Sequence, residues 1–159
     1  MTATVQIRAA TGEDSALLSA LAMRSKAHWG YSKEFMDACR DELAVAPTDI
    51  ESTNFVFAVA AAGTEILGYY ALEKASSSPW DLAALFIEPE AIGQGIGKQL
   101  LRHAMRSSAA AGVDKILIQS DPYAAPFYRA AGASEQGQRE SGSIPGRFLP
   151  IFSLDVTNA

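Results

Sequence analysis

Apolar positions along this chain recur with two periods, and the points where one gives way to the other predict an ordered series of elements. Val5-Gln6-Ile7-Arg8-Ala9 alternates as a short strand does. Thr11-Gly12-Glu13-Asp14 has the spacing of a capping box and opens a helix expected to reach about Ala27. A second helix, from near Ser32 to Leu43, puts Phe35, Met36, Cys39 and Leu43 on one face. Phe55 to Ala61 and Glu65 to Glu73 flank Ala62-Gly63-Thr64 and predict a β-hairpin. After the polar loop Ser76-Ser77-Ser78-Pro79, a fourth strand spans Trp80 to Ile87. The clearest helical period runs from near Gly95 to Ala111, with Ile96, Leu100, Leu101, Ala104, Met105 and Ser108 inward and Lys98, Arg102 and Arg106 outward. Lys115 to Gln119 predicts a buried strand, Ala124 to Ala131 a short helix ended by Gly132, and the tail two strands near Ser134 to Arg139 and Phe148 to Asp155.

Between the fourth strand and the long helix lies Glu88-Pro89-Glu90-Ala91-Ile92-Gly93-Gln94-Gly95-Ile96-Gly97-Lys98, a turn built to hold an anion. Pro89 halts the strand because it has no amide hydrogen to give, and three glycines let the backbone approach a ligand with its amides inward. Lys98 falls in the first helical turn, where a lone cation opposes the helix dipole unless something negative is close. A dinucleotide fingerprint does not fit, since Lys98 occupies its third glycine position and Asp114 precedes the next strand instead of ending it. A P-loop does not fit either, because it needs glycine where Ile92 stands and Ser or Thr where Gln99 stands.

Ile92-Gly93-Gln94-Gly95-Ile96-Gly97 resembles the acyl-CoA-binding motif of the GNAT superfamily of N-acyltransferases, written Gln/Arg-x-x-Gly-x-Gly/Ala, with Ile92 in place of Gln or Arg. A second stretch, Asp121 to Ala133, resembles the family's Asn-x-x-Ala-x-x-Phe-Tyr-x-x-x-Gly segment, with Asp121 where Asn is usual. The element order β-α-α-β-β-β-α-β-α-β-β is that of the GNAT fold, so the resemblance covers nearly the whole chain. It implies an α/β fold with a mixed, mostly antiparallel sheet of about seven strands, helices on both faces, and central strands that splay.

Composition adds bounds. At 159 residues and 48% apolar, the chain has the size of a single domain, taken as residues 1-159. A net charge of −5 without basic runs argues against nucleic acid as partner. The longest apolar run, Phe55 to Ala62, is far short of a membrane span, and the expected location is cytoplasmic. The lone cysteine, Cys39, reads as a small buried hydrophobe, and no Cys/His cluster has metal-ligand spacing.

The resemblance implies acetyl-CoA as co-substrate and a small-molecule amine as acceptor. Its pyrophosphate would lie against the amides of Gly93, Gln94, Gly95, Ile96, Gly97 and Lys98, its pantetheine arm along Leu85, Phe86 and Ile87, and Asp121 belongs to the same cofactor-contacting set. Tyr128 matches the family position whose hydroxyl protonates the departing sulfur, the competing reading being a buried aromatic beside Phe127. The general base is Asp81 or Glu73, either of which is otherwise a solvated strand-end carboxylate. His28, Trp29 and Tyr31 fall in the loop where the family builds its acceptor pocket, the alternative being a packed loop with Trp29 plugging the core. Arg147, in an unusual Pro-flanked run, is a candidate partner for a substrate carboxylate, against an ordinary solvent-facing turn arginine. His103 reads as exposed. A non-catalytic acyl-CoA sensor on the same fold, a protein N-terminal or lysine acetyltransferase and a nucleotide-binding protein remain as alternatives, and the C-terminal strands are candidates to pair across a homodimer.

Overall fold

The structure, a computed structural model, describes residues 4–157. Seven strands form one sheet in the order β1-β2-β3-β4-β5-β7-β6: β1 Val5–Ala9, β2 Phe55–Ala62, β3 Glu65–Glu73, β4 Trp80–Ile87, β5 Lys115–Gln119, β6 Ser134–Glu140 and β7 Phe148–Asp155. Every neighbouring pair is antiparallel except β4 and β5. The helices are α1 Ser15–Ala27, α2 Lys33–Leu43, α3 Pro47–Glu51, α4 Ile96–Ala110 and α5 Ala125–Ala130.

The alternation of each strand divides its side chains between two cores. One face of the sheet sends Tyr70, Leu72, Ile116 and Phe152 against Ile96, Leu100, Leu101 and Ala104 of α4. The other sends Val59 and Tyr69 against Leu18, Leu21 and Ala22 of α1. Thr11-to-Asp14 forms a 3-10 turn instead of the first turn of α1, closed by the Thr11 amide donating to the Asp14 carboxylate at 2.9 Å. Ser32 caps α2 by accepting from the Phe35 amide at 3.1 Å. Pro47–Glu51, absent from the sequence reading, is a single proline-started turn too short to carry a period.

Two irregularities shape the sheet. In the β3–β4 pair the register slips between Ala71↔Ala84 and Leu72↔Leu82, leaving Ala83 as an extra residue. Pairing between β4 and β5 covers only Trp80↔Ile116, Asp81↔Leu117 and Leu82↔Ile118. Beyond Leu82 the two strands part, as the expected splay requires. At the far edge, all seven residues of β6 are exposed, and its register with β7 slips between Glu135 and Gly137. Among the described residues no helix is long and apolar enough to cross a membrane.

Candidate active site

The parting of β4 and β5 opens a cleft of about 690 Å³. Consecutive residues of β5 line it, Leu117 and Gln119 from one sheet face and Ile118 from the other, so the cleft passes through the plane of the sheet. Its size suits an ordinary small-molecule site.

Along the β4 wall the backbone is unpaired by β5. Glu88 donates its amide to Leu67 of β3 at 2.8 Å, whereas the Ile87 amide points the opposite way, toward Ser25 Oγ at 3.4 Å. Strand alternation places the Leu85 amide on the same open edge as Ile87. Phe86 pairs with Tyr69 and packs with the α1-side core. The bidentate pair of Arg24 with Glu88, at 2.7 and 2.8 Å, fastens α1 to the end of this wall and lowers the Glu88 pKa chiefly through that hydrogen bond.

The glycine turn follows. Gly93 and Gly95 have φ of +88° and +82°, which excludes side chains on conformational grounds, and an added Cβ at either would meet nothing within 4 Å. The Ala91 and Ile92 amides donate to the Glu88 and Pro89 carbonyls, and the next backbone bond is Gln99 to the Gly95 carbonyl at 3.1 Å, so the amides from Gly93 through Lys98 have no backbone acceptor among the described residues. Nor does a side chain cap α4, whose first turn holds no acid. Exposed Lys98 stands there as the expected cation. Gly97 has a different role: a Cβ there would press on the Phe127 ring at 3.4 Å, so its smallness seats α5 against α4. Gln94 turns its side chain back to the Glu90 carbonyl at 3.4 Å.

The two rival carboxylates prove to be one feature. Glu73 and Asp81 are direct cross-strand partners, and both line the cleft. Like charges directly opposite each other destabilise a sheet, and no cation pairs with either among the described residues. Tyr128 is 6% exposed, borders the cleft and meets Phe127 edge-on at 5.2 Å. Burial raises its hydroxyl pKa, and the group makes no hydrogen bond among the described residues, although no fully buried side-chain polar atom lacks a partner there. Its oxygen therefore opens onto the cleft.

The opposite end is gathered around Asp121. One carboxylate oxygen accepts from the Tyr123 amide at 2.9 Å and the Tyr31 hydroxyl at 3.0 Å; the other accepts from Tyr31 at 2.8 Å, Lys26 at 3.0 Å and Arg147 at 3.4 Å. Burial works against its charge, but the Tyr123 amide, Lys26 and Tyr31 outweigh it and hold its pKa below the usual carboxylate range. Tyr31 stacks on Phe35 with centroids 4.1 Å apart, and Arg147 lies over both rings at 5.3 and 4.8 Å. Burial, then Asp121, raises the Tyr31 pKa. This clasp ties the α1–α2, β5–α5 and β6–β7 loops together, and it occupies both Asp121 oxygens with protein donors.

Three expectations are corrected here. Arg147 is no solvent-facing turn arginine: its side chain is 18% exposed and donates to the Tyr31 hydroxyl at 2.7 Å. His103 is half-buried, because it reaches the buried Tyr70 hydroxyl at 2.8 Å, and burial followed by Arg106 lowers its pKa. Trp29 does not plug the core: 38% exposed, it lies flat on Tyr123 at 5.3 Å and lines the cleft. Of the predicted loop trio it alone lines the cleft, since Tyr31 sits in the clasp and His28 stands exposed, edge-on to Trp29 at 5.4 Å. Reasoning from sequence missed Lys26, whose helical position hides its ion pair, and Arg139, which lines the cleft from β6. Among the described residues no cluster of His, Cys, Asp or Glu has metal-holding geometry.

The family profile of the acetyltransferase (GNAT) domain matches residues 13–142. A curated relative, the peptidyl-lysine N-acetyltransferase YjaB of Salmonella typhimurium, is 35% identical over 71 residues, 45% of this chain. The chain spans about half the length of that relative, 47%. Among solved structures, a GCN5-related N-acetyltransferase from Rhodopseudomonas palustris superposes with a TM-score of 0.79 at 19% identity, covering 98% of both chains. The PaiA N-acetyltransferase of Thermoplasma acidophilum, in complex with coenzyme A, gives 0.75 at 20% identity, covering 96% of this chain and 99% of that one.

Proposed function

The chain belongs to the GNAT family of acyltransferases, and we propose that it moves an acetyl group from acetyl-CoA to the primary amine of a small molecule by direct attack, with both substrates in the cleft at once. What supports this most is the meeting at one cleft of two backbone surfaces: the turn from Gly93 to Lys98, which reaches the cleft at Gly97 and whose amides have no backbone acceptor among the described residues, and the edge of β4 at Leu85 and Ile87, which β5 leaves unpaired. The first suits a pyrophosphate at a helix N-terminus, with Gln94, Ile96 and Lys98 in its rim. The second suits a peptide-like arm adding itself as a strand, with Phe86 behind it.

In this reading the Leu85 or Ile87 amide steadies the negative charge that grows on the thioester oxygen as nitrogen attacks. Glu73 and Asp81 draw in the ammonium and take its proton through water, leaving the neutral amine that can react. As the carbon–sulfur bond breaks, Tyr128 gives its proton to the thiolate and regains one from solvent. A phenol is protonated near neutral pH, and burial raises the Tyr128 pKa further. Trp29 forms the acceptor's aromatic wall. Asp121 acts on the cofactor indirectly, by holding the loops that border it.

Release of free thiol from acetyl-CoA across a panel of amines tests the proposal, alongside thermal shift with acetyl-CoA, ATP and NAD. Turnover with a small amine and stabilisation by acetyl-CoA alone are expected. Acetyl-CoA binding with silence across the panel would leave a sensor in place of an enzyme. A second reading, acetylation of lysine in peptides, draws on the peptidyl-lysine relative; it takes precedence if lysine peptides outcompete every free amine.

A further inference from the structure

The cleft is electrically lopsided. At the β3–β4 side lie Glu73 and Asp81, with no ion-pair partner among the described residues, and Asp49 of α3 also lines the cleft. At the β6–β7 side lies Arg139, exposed in the cleft and without a hydrogen bond or ion pair among the described residues. Its cross-strand partner is Leu149, and the hairpin continues as Ser141 donating its amide to the Arg147 carbonyl at 2.7 Å. Arg139 and Arg147 therefore project from the same face of one hairpin as diagonal neighbours. Arg147 spends one terminal nitrogen on Tyr31 and Asp121, while its Nε and other terminal nitrogen have no partner among the described residues. Two cations, Lys26 and Arg147, already share the single charge of Asp121. At this end Arg139 is thus a cleft-lining cation that no carboxylate pairs with among the described residues.

The register fixes how these ends relate. Asp81 pairs with Leu117, Gln119 with Ile151, and Ile151 with Gly137, two residues before Arg139. The carboxylates and Arg139 share one sheet face, three strand spacings apart and some four residues along, on the order of 19 Å between backbones. The side chains and a hydrogen bond at each end shorten that span, leaving room for a chain of several bonds.

Resting on the acetyl-transfer reading above, we propose that the acceptor is an amino carboxylic acid whose reacting amine lies several bonds from its carboxylate. The ammonium docks at Glu73 and Asp81, and the carboxylate docks on Arg139, whose planar fork matches it bidentately. Glu42 also borders the cleft, from the helical wall. It stands beside Gly142, in the loop that joins β6 to β7.

The test compares 6-aminohexanoate with hexylamine and 1,6-diaminohexane by thiol release. The amino acid is expected to have the highest kcat/KM of the three. In Arg139→Gln its preference over hexylamine is expected to fall about 10- to 100-fold, as for a lost charge-assisted bond, with partial recovery in Arg139→Lys. Thermal melting reports whether each variant folds. An equal or greater rate with the diamine, or a preference that Arg139→Gln leaves intact, overturns the proposal. If no amine turns over, the acetyl-transfer reading fails by itself, and calorimetric titration of 6-aminohexanoate into the CoA-saturated protein decides the site: binding weakened by Arg139→Gln upholds it, and absent or unweakened binding overturns it.

Discussion

The glycine turn and the Asp121 clasp border the same cleft and are built on opposite plans. The turn is backbone: six consecutive amides from Gly93 to Lys98 have no backbone acceptor among the described residues, and the side chains matter mainly by being absent. The clasp is made mainly of side chains: Lys26, Tyr31, Asp121 and Arg147 arrive from four places in the chain, the Tyr123 amide adds one backbone donor, and both oxygens of the carboxylate are already in use. An unsatisfied surface is available to a ligand, and a satisfied one holds the walls between which that ligand must fit. Substitutions should therefore divide cleanly, those in the turn changing cofactor affinity and those in the clasp changing stability and acceptor use.

Gly95→Val offers the sharpest break. It forces a β-branched residue to positive φ and fills space meant for the anion, so the stabilisation by acetyl-CoA, about 2.7 kcal/mol at roughly 100 times the dissociation constant, should vanish. Retained stabilisation by acetyl-CoA in that variant would end the contrast. Tyr128→Phe comes next, with turnover expected to drop on the order of 100-fold while acetyl-CoA affinity and melting temperature hold, because ring packing is preserved. Wild-type rates there would return Tyr128 to the core.

Asp121→Asn tests the other side of the comparison. It leaves Lys26 and Arg147 facing each other without a counter-charge, at an expected cost of about 2 kcal/mol by denaturant titration, discounted from a fully buried pair because solvent still reaches the site. The folded pKa of Asp121 lies below its unfolded value of about 3.9, so this stabilisation is complete above that pH and is lost as pH falls through the folded value. The stability gap between wild type and variant should accordingly narrow below about pH 4, and a gap that ignores pH argues against an ionic clasp. The smallest effect is expected from Trp29→Ala, a rise of up to about tenfold in the amine's KM with acetyl-CoA affinity kept. Weakening of both ligands together would instead make the Trp29–Tyr123 stack a shared wall.

The same contrast explains what the sequence revealed. The strands β1, β4, β5 and β7 begin and end where alternation and breakers placed them, and the helix after the turn differs by a residue at each end, because those signals are local. The turn was legible for the same reason, since consecutive residues make it. The clasp was not, because nothing in Lys26 or Arg147 read singly says that Asp121 will lie between them, 95 and 26 residues away in the chain. That Glu73 and Asp81 stand opposite each other was hidden as well, a relation that appears only when β3 and β4 are paired. Arg139 escaped notice on a strand whose residues are all exposed, where sequence pattern offers no face to prefer.

That exposed strand has a further consequence, for how the protein behaves in a crowd. A sheet edge is a template for another chain, and β1 and β6 are the two edges here. Ser134–Glu140 carries no large apolar side chain, sets Glu135, Arg139 and Glu140 along its length and breaks its own register at Gly137, where φ is +140°. A second strand trying to zip along it would meet charge and then a kink within seven residues. The strand that lends Arg139 to the cleft thus also resists the edge-to-edge stacking that begins aggregation.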